Sequence, residues 1–207
     1  MDFVEEASHS KESSSNATRA SLISRVRCQE SRAWDELVEL YGPLIAHWCY
    51  RFELDSHSAA DCIQDVFAAV SRALPTYDAK KSHGAFRSWL WTITRNKIYD
   101  QLRRNRLHSL PQGGTSAMEK LKEIPDLQDS DAEPSSAAEL KSLVARALDQ
   151  IRCEFEPRSL EIFMRSVIDQ VATDLVAVEF KIQSASVRQV RSRILRRLRQ
   201  QLGDIEH

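Results

Sequence analysis

Apolar residues in this 207-residue chain recur every three or four positions from Ser21 to Arg106 and again from about Leu140 to Leu202, with one aperiodic stretch between. That period is the signature of amphipathic helices. Leu22, Ile23 and Val26 open one segment, and Trp34, Leu37, Val38 and Tyr41 continue at i, i+3, i+4, i+7. Gly42-Pro43 reads as a break, after which Leu44, Ile45, Trp48 and Phe52 begin another helix. Ser58 reads as the N-cap of a helix whose stripe is Ile63, Val66, Phe67, Val70 and Leu74. Pro75 stops it, residues 75–84 read as loop, and a long helix is expected from about Ala85 to Arg106. Five glycines in 207 residues is about a third of the usual ~7%, which argues against a turn-rich sheet protein.

From Leu107 to Glu139 the composition shifts to Pro, Gly, Ser and acid with no sustained period, as in a flexible linker. Beyond it, helices are expected over 140–151, 158–169, 174–178 and 184–202. The expected fold is therefore all-α, two small helical domains joined by a flexible linker, the second carrying a helix-turn-helix. Its parts are a disordered Ser- and Glu-rich tail at 1–18, a domain at 19–106, the linker at 107–139 and a domain at 140–207. The acidic N-terminus without an apolar segment, and the absence of any run of about 18 apolar residues, lead to the expectation of a cytoplasmic protein without membrane insertion. Cys28, Cys49, Cys62 and Cys153 form no CxxC pair and read as small buried apolar residues.

The formal net charge of −1 conceals a segregation. Arg95 to Arg106 carries five basic residues and one acid; Lys181 to Arg199 carries seven basic residues and none; Glu119 to Glu139 carries seven acids and two bases. Exposed charges act over roughly 8 Å at physiological salt, so a partner meets these islands rather than the sum.

Three constellations carry candidate chemistry. On the helix after Ser58, the stripe leaves Asp61, Gln64, Asp65 and Arg72 on the other side. That face suits a partner or plain solvent. Two carboxylates at i and i+4 are too few for a divalent metal without further ligands, so neither metal nor cofactor is expected. In FRSWLWTITRNKIYDQLRR, Phe86, Leu90 and Ile93 make one stripe, Trp91 lies about 100° further round, and Arg87, Arg95, Asn96, Lys97, Arg103 and Arg104 lie elsewhere. Cations beside an aromatic suit single-stranded nucleic acid, whose bases stack on rings while Lys and Arg track phosphates. At the C-terminus a short helix, a turn and a basic second helix suggest a helix-turn-helix. Plotted at 100° per residue, Ser186, Arg188, Gln189, Ser192, Arg193 and Arg196 fall outside the stripe Val187, Val190, Ile194 and Leu198. Arg and Gln there could read guanine and adenine in a major groove.

On DCIQDVFAAVSRAL, FRSWLWTITRNKIYDQLRR and VATDLVAVEFKIQSASVRQVRSRILRRLR, the chain resembles a small bacterial RNA polymerase sigma factor of the extracytoplasmic-function type, over roughly Ser21 to Leu202. The resemblance implies that Asp61, Gln64 and Asp65 face the core RNA polymerase. It implies that the 75–84 loop and Arg87, Arg95, Asn96, Lys97, Arg103 and Arg104 meet the −10 promoter DNA, with Trp91 as the aromatic of that helix. Ser186, Arg188, Gln189, Arg193 and the neighbouring Arg196 would meet the −35 element. It further implies an anti-sigma factor as partner, and a non-enzymatic role in promoter opening. Where the family usually has glycines before and within the helix-turn-helix, this chain has Gln170 and Phe180 or Lys181. The rival readings are a stand-alone dimeric helix-turn-helix regulator and a nuclease built on Asp61 and Asp65.

Overall fold

The computed structural model describes residues 20–78, 86–108 and 133–203. The expected tail at 1–18, most of the 75–84 loop and most of the linker lie outside the described residues. Among the described residues all regular structure is helical: α1 (Leu22–Arg27), α2 (Ser31–Arg51), α3 (Ser56–Ala73), α4 (Phe86–His108), α5 (Ala137–Ile151), α6 (Pro157–Phe163), α7 (Thr173–Phe180) and α8 (Ser184–Gln201).

The break expected at Gly42-Pro43 is absent, and α2 runs through it. An interior proline removes one helical hydrogen bond and costs about 3 kcal/mol. Burial outweighs that cost, since Leu37, Leu40 and Tyr41 before the proline and Leu44, Ile45 and Trp48 after it are all sequestered, each at about 1.5–3 kcal/mol. Pro43 itself faces solvent. The cap of α3 is Asp55 rather than Ser58: its carboxylate accepts from the backbone N–H of His57 at 2.9 Å and of Ser58 at 3.0 Å, and from the Ser58 hydroxyl at 2.9 Å. The bonds from Ser58 foremost hold the Asp55 carboxyl below its ordinary range. Ser58 is buried and also accepts from Asn105 of α4 at 2.9 Å, tying α3 to α4.

Helix α5 begins three residues earlier than expected, on a capping box in which Ser136 Oγ accepts from the Glu139 N–H and the Glu139 carboxylate accepts from the Ser136 N–H. The two helical halves pack on one another. α5 lies along α2, the end of α8 lies against α1 and α5, and Leu143, Ala147, Ile151, Ile194 and Leu198 join the same apolar cluster as Leu22, Tyr41 and Trp48. Arg146 Nε donates to the Leu40 carbonyl at 3.1 Å, Gln150 Nε2 to the Glu36 carbonyl at 3.0 Å, and the Tyr41 hydroxyl to the Leu202 carbonyl at 2.7 Å. Glu36 accepts from both terminal nitrogens of Arg25, at 2.7 and 3.0 Å, and from Gln201 Nε2 at 3.3 Å. Those bonds, Arg25's above all, hold the Glu36 carboxyl below its ordinary range. Gly203, at φ 70°, closes the seam: a Cβ there would come within 2.9 Å of both Ile23 and Phe86.

Of the cysteines, Cys49 and Cys62 are buried as expected, whereas Cys28 and Cys153 are exposed because they fall in the turns that end α1 and follow α5. The helix expected over 158–169 is split into α6 and a π-helical turn, Met164–Ile168.

The turn between α7 and α8 is made at Lys181, with φ 54° and ψ 48°. The Ile182 N–H reaches the Ala177 carbonyl at 2.9 Å, the pattern of a Schellman cap. Gln170 is likewise left-handed, at φ 56°. A side chain in that region costs about 1–2 kcal/mol, partly offset because glycine loses more backbone entropy on folding. Lys181→Gly is therefore expected to raise the unfolding free energy by about 0.5–1 kcal/mol, read by urea unfolding. An unchanged or lower midpoint would mean that the lysine side chain contributes more than its backbone costs.

Candidate functional site

α3 is two-faced. Cys62, Val66, Phe67 and Val70 are buried against the rest of the first half. Asp61 and Gln64 are exposed and Asp65 partly so. The three lie at i, i+3 and i+4, and so form one outward patch. Asp65 is not free: Arg104 Nη2 of α4 donates to its Oδ2 at 2.7 Å. Asp61 lies 3.7 Å from His57. Among the described residues no group of three His, Cys, Asp or Glu side chains is placed to hold a metal ion.

On α4, Phe86 and Leu90 are buried as expected, while Ile93 of the expected stripe is only half-buried and Ile98 is buried in addition; Trp91 is buried too, which corrects its reading as a stacking platform. The Trp91 ring lies 5.2 Å from that of Trp48 and 5.9 Å from that of Phe52. α4 packs on both α2 and α3, so its core face is wider than a single stripe and takes in the position 100° beyond Leu90. Two aromatics of α4 are left half-buried, Tyr99 and Trp89, and the ring of Trp89 meets those of Tyr77 at 4.8 Å and Phe86 at 5.3 Å. Trp89 stands in the first turn of α4, against Tyr77. Its position one residue before Leu90 was the available signal.

The cations of α4, and Asn96 among them in sequence, are distributed unevenly. Asn96, Arg103 and Arg104 are exposed, while Arg95 and Lys97 are half-buried, Lys97 lying 3.8 Å from Asp100. Arg87, in the first turn, is bound by Glu133, a residue that the sequence places in the linker. Glu133 also accepts from the Ser135 hydroxyl, which in turn accepts from Trp48 Nε1 at 3.0 Å.

In the second half, α7, the Lys181 turn and α8 make the helix-turn-helix. Val187, Ile194 and Leu198 are buried, and Arg188, Gln189, Arg193 and Arg196 are exposed, with Ser186 half-buried in the first turn. The guanidinium of Arg193 rests 5.4 Å from the centre of the Phe155 ring. The Asp174 carboxylate accepts from the Ser184 hydroxyl at 2.6 Å, fixing the start of α8 relative to α7. On α7 itself, Leu175 and Val178 are exposed. No helix of the described residues is long and apolar enough to cross a membrane.

Residues 37–108 match the family model for Sigma-70 region 2. They comprise most of α2 and all of α3 and α4. No curated protein matches the chain at a significant level. Among solved structures, the chain is similar to CnrH in complex with the cytosolic domain of CnrY, at 21% identity and a TM-score of 0.36 over 86% of this chain and 92% of that one. It is also similar to a chain of the RsbN–BldN complex, at 15% identity and a TM-score of 0.35 over 85% of this chain and 96% of that one. With the polar patch of α3 and the cationic α4 both inside the matched region, the chain carries a Sigma-70 region 2 domain over residues 37–108, and that match supports a role in transcription initiation.

Proposed function

We propose that this chain is a sigma factor of the extracytoplasmic-function type that recruits core RNA polymerase through α3 and presents α4 and α8 to the two elements of a promoter. Asp61, Gln64 and Asp65 are the polymerase-binding residues. Arg87, Arg95, Asn96, Lys97, Arg103 and Arg104 line the path of the melted −10 strand. Extruding a base costs a few kcal/mol, offset by phosphate contacts and by capture of the base beside the α4 N-terminus. Ser186, Arg188, Gln189, Arg193 and Arg196 face the −35 duplex. The region 2 unit then spans 19–106, the −35 unit 140–207 and the connection 107–139. An anti-sigma factor and action in the cytoplasm belong to this reading.

The observation that supports it best is the Sigma-70 region 2 match over residues 37–108, within which α3 turns Asp61 and Gln64 to solvent while burying its opposite face. Run-off transcription with purified core polymerase on genomic promoter fragments tests it. Initiation is expected only with the chain present. Asp61→Ala/Asp65→Ala is expected to lower initiation and core affinity at least about tenfold, the scale of a central interface residue. Binding to a two-fold operator as a dimer, with no association to core polymerase, would transfer the chain to the stand-alone regulators.

A further inference from the structure

The four residues before α5 bridge the two helical halves. Glu133 is the only acid that the structure places on Arg87 among the described residues, and its side chain is 10% exposed. One carboxylate oxygen takes the Arg87 Nε–H and the other takes the Ser135 hydroxyl. Ser135 is itself anchored by Trp48 Nε1, and Ser136 caps α5. The Arg87 guanidinium thus meets a pre-oriented, largely desolvated anion held, through Ser135, by Trp48 of α2 in the segment that caps α5. Carboxylate and phosphate oxygens compete for the same face of a guanidinium, since both offer acceptors in the fork geometry that arginine matches. A tethered carboxylate competes at an effective concentration of the millimolar order, so it occupies Arg87 whenever nucleic acid is dilute.

We propose that Glu133 is an intramolecular competitor of nucleic acid: it occupies Arg87 in the free chain, and a DNA phosphate displaces it on binding. The assignment rests on the reading of Arg87 as a DNA-facing residue. Its consequence is that the free chain holds single strands weakly and that strand capture releases the anchor between the halves. Glu133 bonds to Arg87 of α4 and, through Ser135, to Trp48 of α2, so displacing it loosens the N-terminal end of α5 from the first half.

The test uses the full chain and a fluorescein-labelled mixed-sequence 20-nucleotide single strand, with affinity read by anisotropy. Glu133→Gln keeps the shape and removes the charge, and thermal melts confirm that the variant is folded. It is expected to bind the strand about three- to tenfold more tightly, the size of a partly exposed ion pair removed from competition. Asp149→Asn makes the same change of net charge at an exposed site on α5, where Asp149 lies 3.7 Å from Arg152. It is expected to change affinity less than twofold. Arg87→Ala should weaken binding in the wild-type background and abolish the Glu133→Gln gain. If Glu133→Gln binds no better than Asp149→Asn while Arg87→Ala still weakens binding, the competition is refuted and the reading of Arg87 survives. If Arg87→Ala leaves binding unchanged in both backgrounds, the reading of Arg87 fails and the competition falls with it.

Discussion

Trp91→Ala is expected to lower the unfolding free energy of the chain by about 3–5 kcal/mol, the range for emptying an aromatic site in a packed core. Trp91 is 3% exposed and is wedged between Trp48 and Phe52, themselves in the cluster that continues into the second half. Its indole N–H has no hydrogen-bond partner among the described residues. An unmet buried donor costs about 1–3 kcal/mol, so Trp91→Phe loses volume but relieves that donor and should cost less than the alanine variant. The pair separates packing from stacking. A base stacked on Trp91 would be worth about 1–3 kcal/mol by alanine substitution, and a phenylalanine would recover part of it. The expectation here is that Trp91→Phe binds a single strand as the wild type does, whereas Trp91→Ala fails through melting. A Trp91→Ala chain that melts like the wild type but binds DNA weakly would return this residue to the nucleic-acid face.

What the sequence discloses follows from what its period records. The inner stripes of α3 and α8 repeat on one side of each helix, and Val66, Val70, Val187 and Ile194 are buried as that repeat requires. The outward positions Asp61, Arg188 and Arg196 are legible for the same reason. Trp91 misleads because periodicity reports which residues are apolar rather than how many neighbours a helix has. α4 has two. Gly42-Pro43 misleads because local propensity is outweighed by burial on both sides of it. The packing of α5 on α2 carries almost no sequence mark: Arg146 and Gln150 donate to the carbonyls of Leu40 and Glu36, and every residue has a carbonyl with a second lone pair to offer. The start of α5, expected at Leu140, was missed although Ser136 and Glu139 stand at capping-box spacing. Glu133 and Ser135, three and one residues earlier, look like any polar linker residues until the fold brings Arg87 and Trp48 to them.

The second large effect separates two adjacent arginines on α8. Arg196 is exposed, whereas Arg197 is buried and forms a two-pronged ion pair with Glu154, Nε and Nη2 each 2.8 Å from a carboxylate oxygen. The side chains of the pair are 7% and 15% exposed. Removing one partner of such a pair strands the other charge in the interior, at about 3–5 kcal/mol. Glu154→Ala is expected near the lower end of that range, because some water still reaches the site. Replacing both charges restores much of the loss, since the penalty lies in the uncompensated ion rather than in the missing attraction. Glu154→Leu/Arg197→Met should therefore melt well above Glu154→Ala. Duplex affinity supplies the contrast: the double variant is expected to hold DNA as the wild type does, whereas Arg196→Ala weakens binding and lowers the salt dependence by about one phosphate contact. A double variant that stays folded yet loses duplex binding would show that Arg197 leaves its pocket to reach DNA, and that the cationic surface of α8 is larger in the bound state than in the free chain.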